Sequence, residues 1–267
     1  MIGYEAGYGG DEPSEPRGLT TRTLVGFASL LLVYQASEGL QTFIAPSNPL
    51  GPALMVAMLL LAWPVGRWMG WRGYDAYGLD LQRRSLSLLA SGLLLAGLAF
   101  LASRALGFAG GVYGPPTAGT FASLPLTISL ALITTFIPSV AEDILTRGFL
   151  LRTFRLRLSP ATYVVGSALL YTANHIWRLD WGISEQIRLF CLGLAYGAAA
   201  WRWRTLWGAV SLHWGWNLAN VLAAQLMPVD TLQADAARYL SAIVHLILLA
   251  IILLAPAPGG NRERATL

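Results

Sequence analysis

This 267-residue chain has only one cysteine, and charged residues make up just 12% of it. The single cysteine, Cys191, excludes a disulfide within the chain. Soluble domains have about a quarter of their residues charged, so the composition excludes an ordinary soluble domain. Lysine is absent, and all 18 positions counted as Lys or Arg are arginine. These arginines lie in short segments between apolar runs, which argues against a nucleic-acid surface and favours a topological role in a membrane.

Long apolar runs dominate the rest of the chain, with 55% of the residues hydrophobic. A membrane-spanning helix needs about 20 mainly apolar residues. Runs of roughly that length are Leu24–Ala45, Gly51–Met69, Ser85–Leu106, Leu124–Phe154, Ala161–Trp177, Gln186–Trp203, Thr205–Leu226 and Tyr239–Ala255. We therefore predict an all-α polytopic membrane protein with a bundle of about eight transmembrane helices over residues 23–255. Polar tails are predicted at residues 1–22 and 256–267.

The distribution of arginine predicts how this bundle is oriented. If the N-terminus is cytoplasmic, 13 arginines fall in inside segments and 4 in outside segments, with Arg147 left inside a span. The four outside are Arg104, Arg178, Arg188 and Arg238. Cytoplasmic loops of membrane proteins carry an excess of basic residues. We therefore expect a multi-pass protein of the inner or plasma membrane with both termini in the cytoplasm.

The fourth run contains three charged residues, Glu142, Asp143 and Arg147. A charge at mid-bilayer costs about 2.5–3.5 kcal/mol, so three isolated charges would cost roughly 7–10 kcal/mol. Asp143 and Arg147 are four residues apart with the acid first, the favourable order for an ion pair on a helix. Glu142 is rotated by about 100° from Asp143, so it needs another partner. A purely structural ion pair is the simpler alternative to a functional cluster.

Two later runs each carry a polar pair with a spacing of four residues. These pairs are Tyr171 with His175 and His213 with Asn217. At about 1.5 Å per residue, both histidines and Glu142 lie away from the two membrane interfaces. We therefore predict that a carboxylate and two imidazoles converge inside the membrane.

Three other polar residues in the apolar runs have simpler interpretations. Glu38 in the first run has no evident partner and is predicted to pack against or face a pore. His245 in the last run is predicted to be a hydrogen-bonded packing residue. Arg188 lies near a helix end, where a long cationic side chain can extend to the interface.

Together these motifs resemble those of the CPBP intramembrane proteases, which include the CAAX prenyl proteases and the bacteriocin-processing (Abi) proteins. The family's first motif is two acids, three residues and arginine, and Glu142–Gly148 is similar to it. Tyr171–His175 is similar to the second motif and His213–Asn217 to the third. The second acid is aspartate and the aromatic is tyrosine, where the family usually has glutamate and phenylalanine. The resemblance covers residues 124–220.

The resemblance implies hydrolysis of a peptide bond within the membrane. Glu142 would activate a water, and His175 would orient that water and pass a proton to the leaving amine. His213 and Asn217 would donate hydrogen bonds to the developing oxyanion. Asp143 and Arg147, the remaining motif residues, would fix the helix geometry around these catalytic groups.

The sequence is compatible with both a metal-dependent and a metal-free mechanism for this hydrolysis. Glu142, His175 and His213 form a set that could hold a divalent metal such as zinc, with a fourth position open for water. Asp143 could then act as the base. The family is often described as metalloproteases, but this chain has no HExxH pair.

The resemblance also implies the class of substrate, a hydrophobic or lipidated peptide or protein. Such a substrate would have a CAAX-like C-terminus or a leader peptide, and would arrive laterally or from the cytoplasmic side. A non-enzymatic immunity or scaffold protein that retains the fold is the main alternative, although binding alone would not need all four predicted catalytic residues. A transporter or proton channel is a third, because intramembrane acids and histidines mark ion pathways. We predict the protease.

Overall fold

The computed structural model describes residues 19–44, 48–81, 83–119, 123–154 and 157–254. Over these residues the chain is built from helices, and the β pairing found there is one isolated bridge between Tyr113 and Thr231. The predicted all-α polytopic membrane fold is confirmed. Both predicted tails, 1–22 and 256–267, lie outside the described residues except for positions 19–22.

Nine α-helices follow one another along the described chain. They are α1 Thr21–Phe43, α2 Leu50–Trp68, α3 Arg83–Ala109, α4 Leu124–Asp143, α5 Phe149–Phe154, α6 Pro160–Asn174, α7 Ile183–Trp203, α8 Trp207–Leu226 and α9 Ala234–Leu254. A π-helical turn, Ile144–Gly148, joins α4 to α5 without a break. Each of the eight predicted runs therefore corresponds to a helix or, for the fourth run, to this continuous helical segment.

The fifth predicted run differs most from the helix that forms. We predicted a span over Ala161–Trp177, but α6 ends at Asn174 and a 3₁₀ turn over Ile176–Trp181 follows. The backbone N–H of His175 donates to the carbonyl of Thr172, a tight i to i−3 bond that ends the α-helix. His175 consequently lies at a helix end rather than inside a span.

Five helical segments within the described ranges are long and apolar enough to cross a membrane: α1, α2, α3, the α4–α5 segment and α9. Three helices do not qualify: α6, which has only 15 residues, and α7 and α8, which pack against each other and against further helices. Helix α7 contacts α6, α8 and α9, and α8 also contacts α3 and α4. Helices surrounded by protein have less contact with lipid, so they can carry more polar side chains.

Small residues allow the inner helices to approach one another closely. A Cβ atom added at Gly193 of α7 would lie 2.7 Å from the Cα of Ala168 in α6. One added at Gly215 of α8 would lie 2.8 Å from the Cβ of Ala96 in α3. Close backbone contact at small residues is a common way to stabilise helix pairs in membranes. These contacts fix the positions of the helices that carry the predicted site.

Candidate active site

The first motif lies where α4 passes into the π turn. Glu142 and Asp143 are the last residues of α4, and Arg147 lies inside the turn. The Thr146 hydroxyl donates to the carbonyl of Glu142 at 2.8 Å, and the Tyr163 hydroxyl donates to the carbonyl of Arg147 at 3.2 Å. A π turn disrupts the regular helical hydrogen-bond ladder, and such turns are frequent at functional sites.

Glu142 is the centre of the polar cluster. Its Oε1 atom lies 3.0 Å from Nε2 of His175, and its Oε2 atom lies 3.3 Å from Nε2 of His213. The Tyr34 hydroxyl of α1 donates to the same Oε1 at 2.8 Å, and the Asn174 amide lies 3.5 Å from it. The structure therefore brings together the carboxylate and two imidazoles that the sequence predicted to converge, with His175 immediately after α6.

His175 is held by the end of its own helix. Its Nδ1 atom lies 2.8 Å from the carbonyl oxygen of Tyr171. A carbonyl can only accept a hydrogen bond, so Nδ1 carries the proton. The other ring nitrogen, Nε2, is thereby directed at Glu142.

His213 lies between the two acids of the first motif. Its Nδ1 atom is 3.3 Å from Oδ1 of Asp143, while Nε2 faces Glu142. The Tyr196 ring of α7 stacks on the imidazole with ring centres 5.2 Å apart and an interplanar angle of 22°. The carboxylate and the ring together fix the orientation of His213.

Asp143 and Arg147 form the predicted ion pair, and both side chains are fully buried. The guanidinium also lies over the rings of Tyr171 and Tyr196, at 4.5 and 5.3 Å from their centres. A buried cation between a carboxylate and two aromatic faces is electrostatically compensated. Arg147 therefore holds Asp143 in position behind His213.

Asn217 lies one helical turn after His213 on α8. Its amide nitrogen donates to the hydroxyl of Ser139 on α4 at 3.1 Å. Both Asn217 and His213 line the same cavity as Glu142. The role of Asn217 in binding an oxyanion stays a prediction, since its amide is engaged with Ser139 in this state.

The cluster opens into a cavity of about 670 Å³. Residues of α1, α2, α4, α6, α7 and α8 and of the segment after α6 line it. Between α2 and α4 the lining includes Val56 and Ile133, whose side chains are also exposed on the surface of the bundle. The cavity is therefore bordered by side chains that would face lipid, as lateral entry of an apolar substrate requires.

Along most of these helices the lining residues lie in the same half of the bundle. They occupy the last part of α1, the first parts of α2 and α7, and the second half of α4, which is the middle of the continuous α4–α5 segment. That half lies away from the end where α1 begins and α9 ends. With both termini in the cytoplasm, as the arginine distribution predicts, the cavity would open toward the opposite side of the membrane.

Two parts of the site were missed by sequence reasoning: one face of α1, which lines the cavity, and Asn174, whose amide lies 3.5 Å from Glu142. Tyr34, which bonds Glu142, and Gln41 lie on α1 with Glu38 between them, at spacings of four and three residues. This i, i+4, i+7 pattern marks one helix face and could have indicated a polar face on the first span. Asn174 was missed because it precedes His175 within an otherwise apolar run.

Glu142, His175 and His213 belong to residue types that bind metal ions, but their side chains are not arranged around one point. Within the described ranges, no three His, Cys, Asp or Glu side chains are arranged around a common point as a metal site requires. Each imidazole instead meets a different oxygen of Glu142. Both Nδ1 atoms contact oxygen acceptors, which leaves the two Nε2 atoms available, as in metal-binding histidines. The set of two His and one Glu suits zinc in chemical type, and side-chain rotation would be needed to bring the three to one ion.

Residues 124–219 match a protein-family model described as "Rce1-like: Type II CAAX prenyl endopeptidase Rce1-like". The match runs from the start of α4 into α8 and contains every predicted site residue. It confirms the resemblance inferred from the three motifs and supports an intramembrane protease. With the apolar helices, it also supports an integral membrane protein. No curated protein matches the chain.

Proposed function

We propose that this membrane protein is an endopeptidase that hydrolyses a peptide bond in a hydrophobic or lipidated substrate inside the bilayer. One observation supports this most strongly. The carboxylate of Glu142 is held between Nε2 of His175 and Nε2 of His213, at 3.0 and 3.3 Å, on the wall of a cavity. A carboxylate paired with imidazoles can move protons to and from a water and a leaving amine.

In this proposal Glu142 accepts a proton from a water molecule as the water oxygen attacks the carbonyl carbon of the scissile bond. The negative charge that develops on the carbonyl oxygen is stabilised by hydrogen bonds from Asn217 and from His213 in its imidazolium form, which carries a proton on Nε2 as well as on Nδ1. Glu142 passes the proton from the water to Nε2 of His175, 3.0 Å away, and His175 delivers it to the departing amine nitrogen as the C–N bond breaks. Tyr34, whose hydroxyl donates to Glu142 at 2.8 Å, keeps the carboxylate oriented throughout.

Asp143 and Arg147 position the catalytic groups in this scheme without contacting substrate. Asp143 accepts from Nδ1 of His213, which directs Nε2 toward the cavity. Arg147 neutralises Asp143 and lies beneath Tyr171, the residue whose carbonyl holds His175. Both histidines are therefore oriented from the side away from the cavity.

We propose a lipidated substrate because the cavity combines this polar cluster with an apolar, lipid-facing border. The exposed side chains of Val56 and Ile133 between α2 and α4 would contact a hydrocarbon chain entering from the bilayer. The family description, a CAAX prenyl endopeptidase, points to a prenylated C-terminus as the first substrate class to test.

A divalent metal such as zinc is a second route to the same reaction. Glu142, His175 and His213 would hold it, and a bound metal would supply a more acidic water and polarise the carbonyl. The proposed positioning by Asp143 and Tyr171 is the same in both forms, because each fixes an imidazole through Nδ1.

The test compares the purified protein with its Glu142→Gln variant on S-farnesylated C-terminal peptides. Asp235→Asn is the matched control, because it makes the same carboxylate-to-amide change at a side chain that is 72% exposed. We expect cleavage by the wild type and by D235N and none by folded E142Q. Equal cleavage by E142Q would refute the role of Glu142, and no cleavage by wild type would favour a non-enzymatic membrane protein. Loss of activity with a chelator and recovery with zinc would establish the metal-dependent form.

A further inference from the structure

The catalytic cavity contains a cation that the proposed hydrolysis does not use. Arg178 and Arg188 both line it. The Arg188 guanidinium is already bound to Glu185, with Nε donating to Oε2 at 2.7 Å and Nη2 donating to Oε1. Glu185 is almost fully buried, so this pair is fixed in the protein. Arg188 therefore has two of its donors committed, contrary to the expectation that it extends to the interface.

Arg178 is held much more loosely. Among the described residues, its closest carboxylate oxygen is Oε2 of Glu38, at 4.0 Å from Nη2. That separation exceeds a hydrogen bond, which spans 2.7–3.2 Å for N–H to O. The guanidinium also lies 5.4 Å from the centre of the Trp181 ring. Its side chain is 33% exposed, so it can be reached by a ligand in the cavity.

The backbone places Arg178 beside the catalytic cluster. The N–H of Arg178 donates to the carbonyl of His175 at 2.9 Å, within the 3₁₀ turn that follows α6. His175 and Arg178 both line the cavity, although Arg178 departs from 3₁₀ geometry with φ −116° and ψ 17°. Three residues advance about 6 Å along such a turn. Two or three extended residues, at about 3.3–3.6 Å each, cover that separation.

We infer that Arg178 binds a carboxylate of the substrate on the leaving-group side of the scissile bond, and so determines specificity for that carboxylate. This inference rests on the proposed hydrolysis, in which His175 protonates the departing amine. The fragment that leaves therefore extends from His175 toward Arg178. A guanidinium is suited to bidentate contact with a carboxylate. The carboxylate is either the C-terminus of a fragment of two or three residues or an acidic side chain within it.

Glu38 competes with a substrate carboxylate for Arg178. It is the carboxylate nearest to Arg178, and it lines the cavity together with it. A substrate carboxylate must therefore displace Glu38 from the guanidinium. Removal of the negative charge by Glu38→Gln is expected to strengthen the preference for an acidic leaving fragment.

The test uses three S-farnesylated peptides of one sequence: a free C-terminal acid, its C-terminal amide, and an amide ending in glutamate. Wild type, Arg178→Gln, Glu38→Gln and Arg104→Gln are compared by kcat/KM. Arg104 is the charge control, because its guanidinium lies over aromatic rings, 4.4 Å from that of Tyr113, and outside this cavity. We expect the acid to be preferred by roughly tenfold or more, the difference that a charge-assisted hydrogen bond supplies. R178Q should bring the acid-to-amide ratio close to one, and R104Q should leave it unchanged.

Other outcomes distinguish the source of the carboxylate or overturn the inference. A preference for the glutamate-ending amide, lost in R178Q, would identify an acidic side chain as the ligand. Equal cleavage of acid and amide by wild type, or an unchanged preference in R178Q, would overturn the role of Arg178 while leaving the hydrolysis intact. Binding of the same peptides to Glu142→Gln, with and without Arg178→Gln, tests the contact without turnover. Equal affinity for acid and amide there would overturn it independently of the proposed reaction.

Discussion

Replacement of one member of the buried Asp143–Arg147 pair should destabilise the fold more than replacement of both. Both side chains have no exposed surface, so the remaining charge cannot reach water. Removing one partner of a buried ion pair costs about 3–5 kcal/mol, whereas replacing both by groups of similar size is often nearly neutral. We therefore expect Asp143→Asn and Arg147→Met each to cost about 3–5 kcal/mol. The double variant should recover more than half of that loss.

We expect the destabilisation by Asp143→Asn to be near the lower end of the range of about 3–5 kcal/mol, because aromatic rings surround the Arg147 guanidinium. Arg147 would keep its contacts with Tyr171 and Tyr196, and a desolvated cation–π contact contributes roughly 2 kcal/mol. A cost of about 3–5 kcal/mol corresponds to a fall of about 6–20 °C in Tm for domains of 150–250 residues. The measurement is thermal unfolding of the purified variants in detergent, followed by helical circular dichroism.

The same substitution at an exposed pair is the control. Asp235 is 72% exposed and lies 3.0 Å from Arg238, so Asp235→Asn should lower Tm far less than Asp143→Asn. Peptide cleavage should be lost in the double variant although its stability is recovered, because His213 no longer has the Asp143 carboxylate at Nδ1. Single variants as stable as wild type, or a double variant no more stable than the worse single one, would refute the compensation described for this pair.

Three further predictions test separate features. Tyr34→Phe removes the donor 2.8 Å from Glu142 Oε1 and should lower kcat by about tenfold or more, whereas Tyr74→Phe, which loses only a bond to the Leu59 carbonyl, should not. Gly193→Ala should lower Tm because its Cβ would lie 2.7 Å from Ala168 Cα, while Gly97→Ala, with nothing within 4 Å, should keep or raise it. Equal Tm values for the two alanine variants would contradict tight packing of α6 on α7. Single cysteines introduced in a Cys191→Ser background test the helix directions with a membrane-impermeant maleimide. Gln41→Cys should be labelled from the side of the membrane opposite to the termini, and Arg67→Cys from the side on which the termini lie. Labelling of both cysteines from one side would contradict the helix directions.

The sequence was sufficient to predict the parts of the site that follow a helical repeat. Asp143 and Arg147 are four residues apart and pair as expected, even though a π turn replaces the regular helix there. The convergence of Glu142 with two histidines was predicted because all three lie away from both membrane interfaces and Glu142 needs a partner other than Arg147. A spacing rule could not show which oxygen meets which imidazole, because that depends on how α6 and α8 pack.

Contacts between distant helices lay beyond sequence reasoning. Tyr34 reaches Glu142 across 108 positions, and no local pattern connects the two. Glu38 was interpreted as a residue without an evident partner, yet Arg178 lies 4.0 Å away in the folded chain. Hydropathy extended the fifth run to Trp177 because Ile176 and Trp177 are apolar, although the helix ends at Asn174. Apolar composition indicates burial in a membrane but does not indicate where an α-helix stops.

The division between lipid-facing and interior helices explains how the bundle tolerates this site. Helices α7 and α8, which are less apolar than the five segments that qualify as spans, contribute Tyr196 and His213, and His175 follows α6 directly. Most buried polar groups in the cluster have a partner on another helix. The interaction with that partner offsets the free-energy cost of placing each charged or polar side chain in the membrane. The same dependence makes truncation to alanine a poor probe, because a missing partner leaves a buried polar group unsatisfied. Substitutions that preserve shape and leave no buried charge without its partner, such as Glu142→Gln and Tyr34→Phe, are therefore the ones that can separate chemistry from folding in this protein.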